Sequence, residues 1–392
     1  MRSRNIEKDI LARIKKTLNF NKKNKNAFLH EPNFDKKEIK HLNKCVKSTF
    51  VSTAGKSVKL FEKKIKELTK SKYVLSLING TTALHLCLKI LGVNNNDEVL
   101  VPSITFAGTA NAIKMAGATP HFIDSEMENF GVDPGKLEAY LKKITRRKNN
   151  SLINKNTNNK ISAIIIVHVF GHPAKIEQLL KISKKFKIPL IEDAAECIGS
   201  YYKKKHLGTF SELGILSFNG NKTITTGGGG ALLTNKKKLY DYANFLSNGG
   251  KNFHKWEYIH SEPGYNYRMP AINAALGLGQ LEKLNNFLRK KRRLFKKYEK
   301  NFKNFKEAKI LKEPKKSKSN YWLQALILEK KYYSKKIKIL NTTYKENVFT
   351  RPIWKPLHLL KHFKKNPKMN LKNAEEIYDK VINLPSGSKL IN

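Results

Sequence analysis

Three short segments carry residue types that could do chemistry together. In Ser217-Phe218-Asn219-Gly220-Asn221-Lys222, a lysine lies just past an apolar run and ahead of Thr223-Ile224-Thr225-Thr226 and four glycines, Gly227 to Gly230. An amine at the carboxyl end of a strand can form a Schiff base with an aldehyde and then move a proton between carbon atoms. A P-loop competes with this reading, but a P-loop lysine follows its glycines and opens a helix. Here Lys222 precedes them and the apolar Ala231-Leu232-Leu233-Thr234 follows, so the P-loop is rejected. A plain surface lysine starts with high weight in a chain holding 77 Lys and Arg, and only the neighbouring segments lower it. In Ile191-Glu192-Asp193-Ala194-Ala195-Glu196 the carboxylates end another apolar run. A buried carboxylate needs a partner, because an isolated buried charge is costly. A pyridinium nitrogen is one such partner; a helix cap, a metal or a ribose are others. Asn79-Gly80-Thr81-Thr82-Ala83 places a Gly-Thr turn before a helix, with free N–H groups and the positive dipole end suited to a phosphate. Taken alone, an ordinary helix cap is the plainer reading of that segment.

The elements that must position these groups are legible as apolar runs. Strands are expected at 73–78, 98–102, 120–124, 162–170, 189–193, 213–218 and 231–234, with helices at 81–91 and about 107–116 among the segments between them. Runs this apolar imply burial on both faces, hence a mostly parallel sheet wrapped by helices. Ligands of such sheets bind beyond the carboxyl ends of the strands, where all three segments fall. The stretch 146–160 is polar, Asn-rich and aperiodic, and reads as a surface loop. Gly264-Tyr265-Asn266-Tyr267-Arg268-Met269-Pro270 precedes a long basic helix reaching about Phe305, and mixed signals beyond it suggest a smaller α+β unit. The expected organisation is an amphipathic N-terminal extension (1–27), a large domain (28–285), and the long helix with a small C-terminal domain (286–392).

Composition narrows the class. Apolar residues make up 40% of 392, enough for a large globular core. No apolar run reaches the ~20 residues that span a bilayer. Cys45, Cys87 and Cys197 lack metal-type spacing and suit a reducing cytoplasm, so no metal site is expected. The net charge of +46 comes from lysine spread end to end, with no recognition motif, which argues against a specific nucleic-acid partner. A positive field of that size favours an anionic substrate such as a nucleotide diphosphate.

With these segments in this order, the chain resembles the sugar-nucleotide aminotransferases, the DegT-like branch of the fold-type I pyridoxal-phosphate (PLP) enzymes. SFNGNK…TTGGGGA, with EDAAE upstream and GYNYRM downstream, carries the resemblance, which runs from about Phe28 to Ser386. HEPNF (30–34), STFVSTAGKSVKLFE (48–62) and HVFGHPA (168–174) resemble the members that aminate C4 of UDP- or GDP-linked 4-keto-6-deoxy-N-acetylhexosamines, on the way to surface sugars. The resemblance implies that Lys222 carries PLP as an internal aldimine and that Asp193 pairs with the pyridine nitrogen. It places Thr81, Thr82 and Ser217 on the cofactor phosphate, joined by Asn266 from the neighbouring subunit of a homodimer. It stacks Phe106 on the ring and sets Glu196, where many relatives have Gln, near the ring hydroxyl. A dehydratase branch of the fold has histidine in place of the lysine, and Lys222 argues against that activity.

Other residues stay open. His168 and His172 could contact substrate or be satisfied structural histidines; His85 reads as packing. Arg351 could meet a donor carboxylate or the nucleotide diphosphate, or form an interdomain salt bridge; Trp354 beside it reads as core. The leading functional expectation is transamination from an amino acid, glutamate, to a 4-keto sugar nucleotide. A 3-keto sugar or cyclitol aminotransferase is the alternative on the same fold, and a non-catalytic PLP-binding regulator is a third reading without a supporting motif.

Overall fold

The computed structural model describes residues 5–20, 26–252 and 254–391. The first four residues of the amphipathic N-terminal stretch, and 21–25 of the expected extension, lie outside them. The remainder of that stretch is helix α1 (Ile6–Leu18), capped by the Asn5 side chain. Its Ile6, Ile10, Ile14 and Leu18, one turn apart on one face, are buried. They pack with Leu294, Tyr298 and Ile339 in the core of the C-terminal unit.

Helices α2 (Lys36–Lys47) and α3 (Lys56–Thr69) lead into the main sheet. Its strands are β1 (Tyr73–Leu77), β2 (Glu98–Pro102), β3 (Thr119–Ile123), β4 (Ile161–Val167), β5 (Leu190–Asp193), β6 (Leu213–Ser217) and β7 (Gly230–Thr234). Their order in the sheet is β1-β7-β6-β5-β4-β2-β3. Every pairing from β6 to β3 is parallel, and β7 runs antiparallel to both β1 and β6. β2, β4, β5, β6 and β7 are buried at every position, as largely apolar runs require, and their carboxylates Glu98, Glu192 and Asp193 are hydrogen-bonded. Connecting helices include α4 (Gly80–Ile90), α5 (Ala107–Met115), α6 (Pro134–Ile144), α7 (Ile176–Phe186) and α8 (Lys237–Ser247). The parallel arrangement brings the ends of β4, β5 and β6, at Val167, Asp193 and Ser217, to one edge.

The stretch 146–160 is corrected by the structure up to Asn154: Thr145–Lys148 pairs with Ser151–Asn154 in a β-hairpin, and 155–159 follow as an irregular turn. Asn149 and Asn150 at its tip have φ of 46° and 60°, the left-handed pair that a two-residue hairpin turn demands and Asn tolerates. The asparagines that hide the strand pattern also fasten it. Asn154 Nδ2 donates to the buried Glu98 carboxylate at 2.9 Å, and the Thr157 hydroxyl donates to the same group.

Helix α9 (Ala271–Phe302) runs unbroken through residue 285, so the large and small units are joined along one helix. Beyond it, Ala308–Ile310, Gln324–Leu328, Val381–Leu384 and Arg351–Pro352 form an antiparallel sheet in that order. Helices α10 (Lys336–Lys345) and α11 (Lys372–Lys380) accompany it. Among the described residues no helix is long and apolar enough to cross a membrane. Cys45, Cys87 and Cys197 are buried free thiols.

Candidate active site

A cavity of ≈ 320 Å³ opens where β4, β5 and β6 end, lined by Thr81, Phe106, Thr109, Asp193, Glu196, Ser217, Lys222 and others. Each wall has a local cause. Asn79 caps α4, its side chain accepting the Thr82 N–H at 2.8 Å. The N–H groups of Gly80 and Thr81 lie in the first turn and have no intrahelical acceptor. Gly230 lets β7 pass against this turn: a Cβ there would lie 2.5 Å from the Asn79 carbonyl carbon and oxygen. A Cβ on Gly108 would lie 2.7 Å from the Thr81 hydroxyl and 3.1 Å from the Phe106 ring, so this second glycine brings those two groups together.

Lys222 follows β6 in a tight turn, its N–H donating to the Asn219 carbonyl at 3.0 Å. Its Nζ donates to Glu196 Oε1 at 3.3 Å and stands 3.9 Å from the centre of the Trp322 ring. Glu196 accepts the Phe170 N–H on its other oxygen at 2.8 Å. Burial raises the Glu196 pKa to about 7, against the pull of Lys222 and of the Phe170 N–H. Asp193, 5% exposed, accepts the Thr109 hydroxyl at 2.8 Å and the Ala195 N–H at 3.1 Å. Burial raises its pKa, with Thr109, the Ala195 N–H, Lys222 and His168 pulling the other way.

The structure thus brings Thr81, Phe106, Asp193, Glu196, Ser217 and Lys222 around one space. It places the other sequence candidates elsewhere. The Thr82 hydroxyl turns back onto the Asn79 carbonyl at 3.0 Å, so only its neighbours Gly80 and Thr81 face the cavity. His168 is buried with both ring nitrogens engaged, one against Glu192 at 3.1 Å and one accepting the Ala174 N–H at 3.0 Å. Glu192 also accepts the Gly208 and Ser211 N–H groups, so this histidine braces β5 and does not line the cavity. His172 is buried edge-on to Tyr321, its pKa pulled down to about 4 by burial, also off the cavity. Arg351 is exposed on the small sheet and makes no ion pair among the described residues. Asn266 is exposed outside the cavity of its own chain.

Three site residues escape sequence reasoning. Trp322 and Trp354 both line the cavity, although they belong to the C-terminal unit. Trp322 is held at several atoms: its N–H donates to the Phe170 carbonyl at 3.1 Å and to Asn320 Oδ1 at 2.9 Å, and its Nε1–H to the Asn221 carbonyl at 2.7 Å. Thr109 was not singled out either, though it sits one helical turn beyond Thr105 and bridges it to Asp193.

The residues present fit PLP. A buried carboxylate whose oxygens meet only a hydroxyl and an N–H is suited to a cationic ring nitrogen. Phe106, 62% exposed, presents an uncovered ring at the cavity wall. The α4 N-terminus and the Ser217 hydroxyl suit a phosphate, and the Lys222 amine lines the same cavity beside Glu196. Among the described residues no group of three or more His, Cys, Asp or Glu is placed to hold a metal.

Comparison with known proteins agrees with this geometry. The model of the DegT/DnrJ/EryC1/StrS aminotransferase family matches residues 32–392. A GDP-perosamine synthase of Escherichia coli O157:H7 is 37% identical over 368 residues, covering 93% of this chain and 94% of that protein. A UDP-4-amino-4,6-dideoxy-N-acetyl-beta-L-altrosamine transaminase of Campylobacter jejuni subsp. jejuni is 32% identical over 355 residues, 90% of each. The crystal structure of Helicobacter pylori PseC, an aminotransferase involved in the biosynthesis of pseudoaminic acid, superposes with a TM-score of 0.83 at 26% identity, covering 92% of this chain and 94% of PseC. With the sheet order, the cavity chemistry and these matches in agreement, the chain belongs to the DegT/DnrJ/EryC1/StrS aminotransferase family of PLP-dependent enzymes.

Proposed function

We propose that this enzyme takes an amino group from glutamate and delivers it to C4 of a UDP- or GDP-linked 4-keto-6-deoxy-N-acetylhexosamine, in the cytoplasm, for a surface sugar. The observation that carries the transamination is Lys222 and Asp193 facing one cavity whose floor is the N-terminus of α4. The sugar-nucleotide part draws on the names of the relatives, one acting toward a GDP sugar and one toward a UDP-4-amino sugar. The strongly positive chain favours such an anionic substrate over an uncharged one.

In this reading, PLP supplies the electron sink, and the chain supplies the rest. Asp193 would hold the ring nitrogen protonated. Thr81, Ser217 and the first-turn N–H groups of α4 would bind the phosphate, with Thr82 holding Asn79 at that turn. Phe106 would stack on the cofactor ring, and Glu196 would meet its hydroxyl. Lys222 would bind the cofactor through its amine and carry the proton, with Glu196 and Trp322 standing against its ammonium when it is free. Incubation of the holoenzyme with glutamate should bleach the visible cofactor band, and a 4-keto sugar nucleotide should restore it. Failure of every 4-keto and 3-keto sugar nucleotide to restore it, with a simple keto acid doing so, would move the enzyme to another substrate class.

Asn266 is assigned to the partner's site. A helix N-terminus and two hydroxyls only partly neutralise a doubly charged phosphate, and an amide donor adds a hydrogen bond without another charge near Lys222. In a two-fold dimer the exchange is reciprocal. Lys222→Ala and Asn266→Ala homodimers should each be nearly inactive. Their mixed dimer gathers both lesions in one site and none in the other, so co-refolding should restore activity. Mixed dimers that form, as shown by tagged pull-down, yet stay inactive would refute the shared site.

A further inference from the structure

Among the described residues one lysine is wholly enclosed. Lys291, on α9, is 0% exposed, and no carboxylate of the described residues pairs with its ammonium. Its three N–H donors match three acceptors: the Trp322 carbonyl at 3.0 Å, the Ser386 carbonyl at 2.8 Å and His30 Nε2 at 3.0 Å. Burying an ammonium without a counter-ion is expensive, and a core helix position would be filled more cheaply by Leu or Met. Burial accordingly pulls its pKa down to about 7. The cost has a local return. The three acceptors come from the segment before α2, the stretch leading into the Gln324–Leu328 strand and the stretch after Val381–Leu384, and a donor with three hydrogens on a long stem joins them at one point.

One of those acceptors belongs to the residue that backs the reactive amine. The Trp322 ring lies 3.9 Å from Lys222 Nζ, and its indole N–H is tied to the Asn221 carbonyl, one residue before Lys222. The Trp322 N–H is tied to Phe170, whose own N–H holds Glu196. The carbonyl is the remaining polar atom of Trp322, and Lys291 holds it. We infer that Lys291 is a positioning residue for Lys222: it fixes the Trp322 backbone and so sets the indole face against which the free Lys222 ammonium rests.

The inference rests on Lys222 being the reactive amine, so the test has one arm that does not use the reaction. In a Trp256→Phe/Trp354→Phe background, Trp322 is the single tryptophan, and its acrylamide quenching is read in cofactor-free protein. Lys291→Met should raise the quenching constant about threefold or more, with far-UV circular dichroism unchanged. In the otherwise wild-type holoenzyme, Lys291→Met should lower kcat about 10- to 100-fold, the scale of a sub-ångström to ångström misplacement of a catalytic group. KM for the keto substrate should stay within about threefold, because no substrate contact is removed. Trp322→Leu should show the same loss, and the Lys291→Met/Trp322→Leu double variant should be no worse than Trp322→Leu alone. Lys291→Gln, which keeps a donor, should recover part of both readouts. Unchanged quenching in folded Lys291→Met, or kcat losses that multiply in the double variant, would overturn the inference. Should Lys291→Met fail to fold, Trp322→Leu decides: a wild-type kcat there removes the route through Trp322 and overturns it as well. If quenching rises but no amino transfer is found in the parent enzyme, the proposed function fails and the structural link stands.

Discussion

Replacing Lys222 by alanine is expected to leave a folded protein that borohydride can no longer link to PLP and that turns over about 10⁴-fold more slowly or worse, through joint loss of covalent and proton-transfer assistance. Folding should survive because of the charge balance around this side chain. Lys222 is paired with Glu196, which burial already pushes to a pKa of about 7 while Lys222 pulls it down. With the lysine gone, that pull is lost and the Glu196 pKa rises further. The carboxyl then sits protonated at neutral pH and leaves no naked buried charge. The sign follows for stability: a carboxyl whose folded pKa lies above its unfolded value costs stability as pH rises through that interval. The melting temperature of Lys222→Ala should therefore fall more steeply between about pH 5 and 8 than that of the parent. Mass spectrometry of the borohydride-treated protein reads the cofactor on the peptide holding residue 222. Turnover within tenfold of the parent, or a cofactor still fixed to the Lys222→Ala chain, would remove the central assignment.

The seven strands of the main sheet were legible because most are short, largely apolar runs buried on both faces and bounded by turn residues. The hairpin at 145–154 was not, since its first strand is the largely exposed Thr-Arg-Arg-Lys and its second buries only Leu152 and Asn154. Its turn rests on Asn149 and Asn150 adopting a left-handed backbone, which composition alone presents as a loop. The same contrast holds in the cavity. Lys222, Asp193, Thr81 and Ser217 lie at strand or helix ends, and the parallel topology brings such ends to one edge whatever the sequence between them. Trp322 and Trp354 reach the cavity from the C-terminal unit, and only the tertiary packing of that unit on the sheet puts them there. A tryptophan next to an apolar strand gives no sign of which way it faces. Trp354 was accordingly read as core. His168, which the sequence leaves open between a substrate contact and a satisfied structural histidine, has both nitrogens engaged, against Glu192 and the Ala174 N–H. Lys291 illustrates why lysine count says little here: one among many in composition, it stands apart through complete burial on three neutral acceptors.

Asp193→Asn separates binding from electronic control more sharply than any other substitution at this site. In the parent, both carboxylate oxygens accept hydrogen bonds, from the Thr109 hydroxyl and the Ala195 N–H. Asparagine is nearly the same size and can keep its oxygen on the Ala195 N–H, so the cavity should retain its shape and its affinity for the cofactor phosphate. Its amide nitrogen then replaces the oxygen that faced Thr109. There it can donate to the Thr109 hydroxyl or to an unprotonated ring nitrogen, and it can no longer compensate a cationic one. The protonated ring, favoured beside a buried carboxylate, becomes disfavoured beside an amide, because a positive charge in this enclosure has lost its partner. The cost falls on the transition state, where electrons are drawn into the ring, and much less on binding. We expect kcat to fall about 10²- to 10³-fold, the scale of removing one preorganised electrostatic contact. KM for the donor and the PLP dissociation constant should stay within about threefold. Asp193→Glu keeps the charge but pushes it into space the ring must occupy, so it should weaken PLP binding instead. Steady-state kinetics with a cofactor titration for both variants makes the distinction. If Asp193→Asn turns over at near the parental rate, Asp193 only caps the turn after its strand, and another group holds the ring nitrogen protonated.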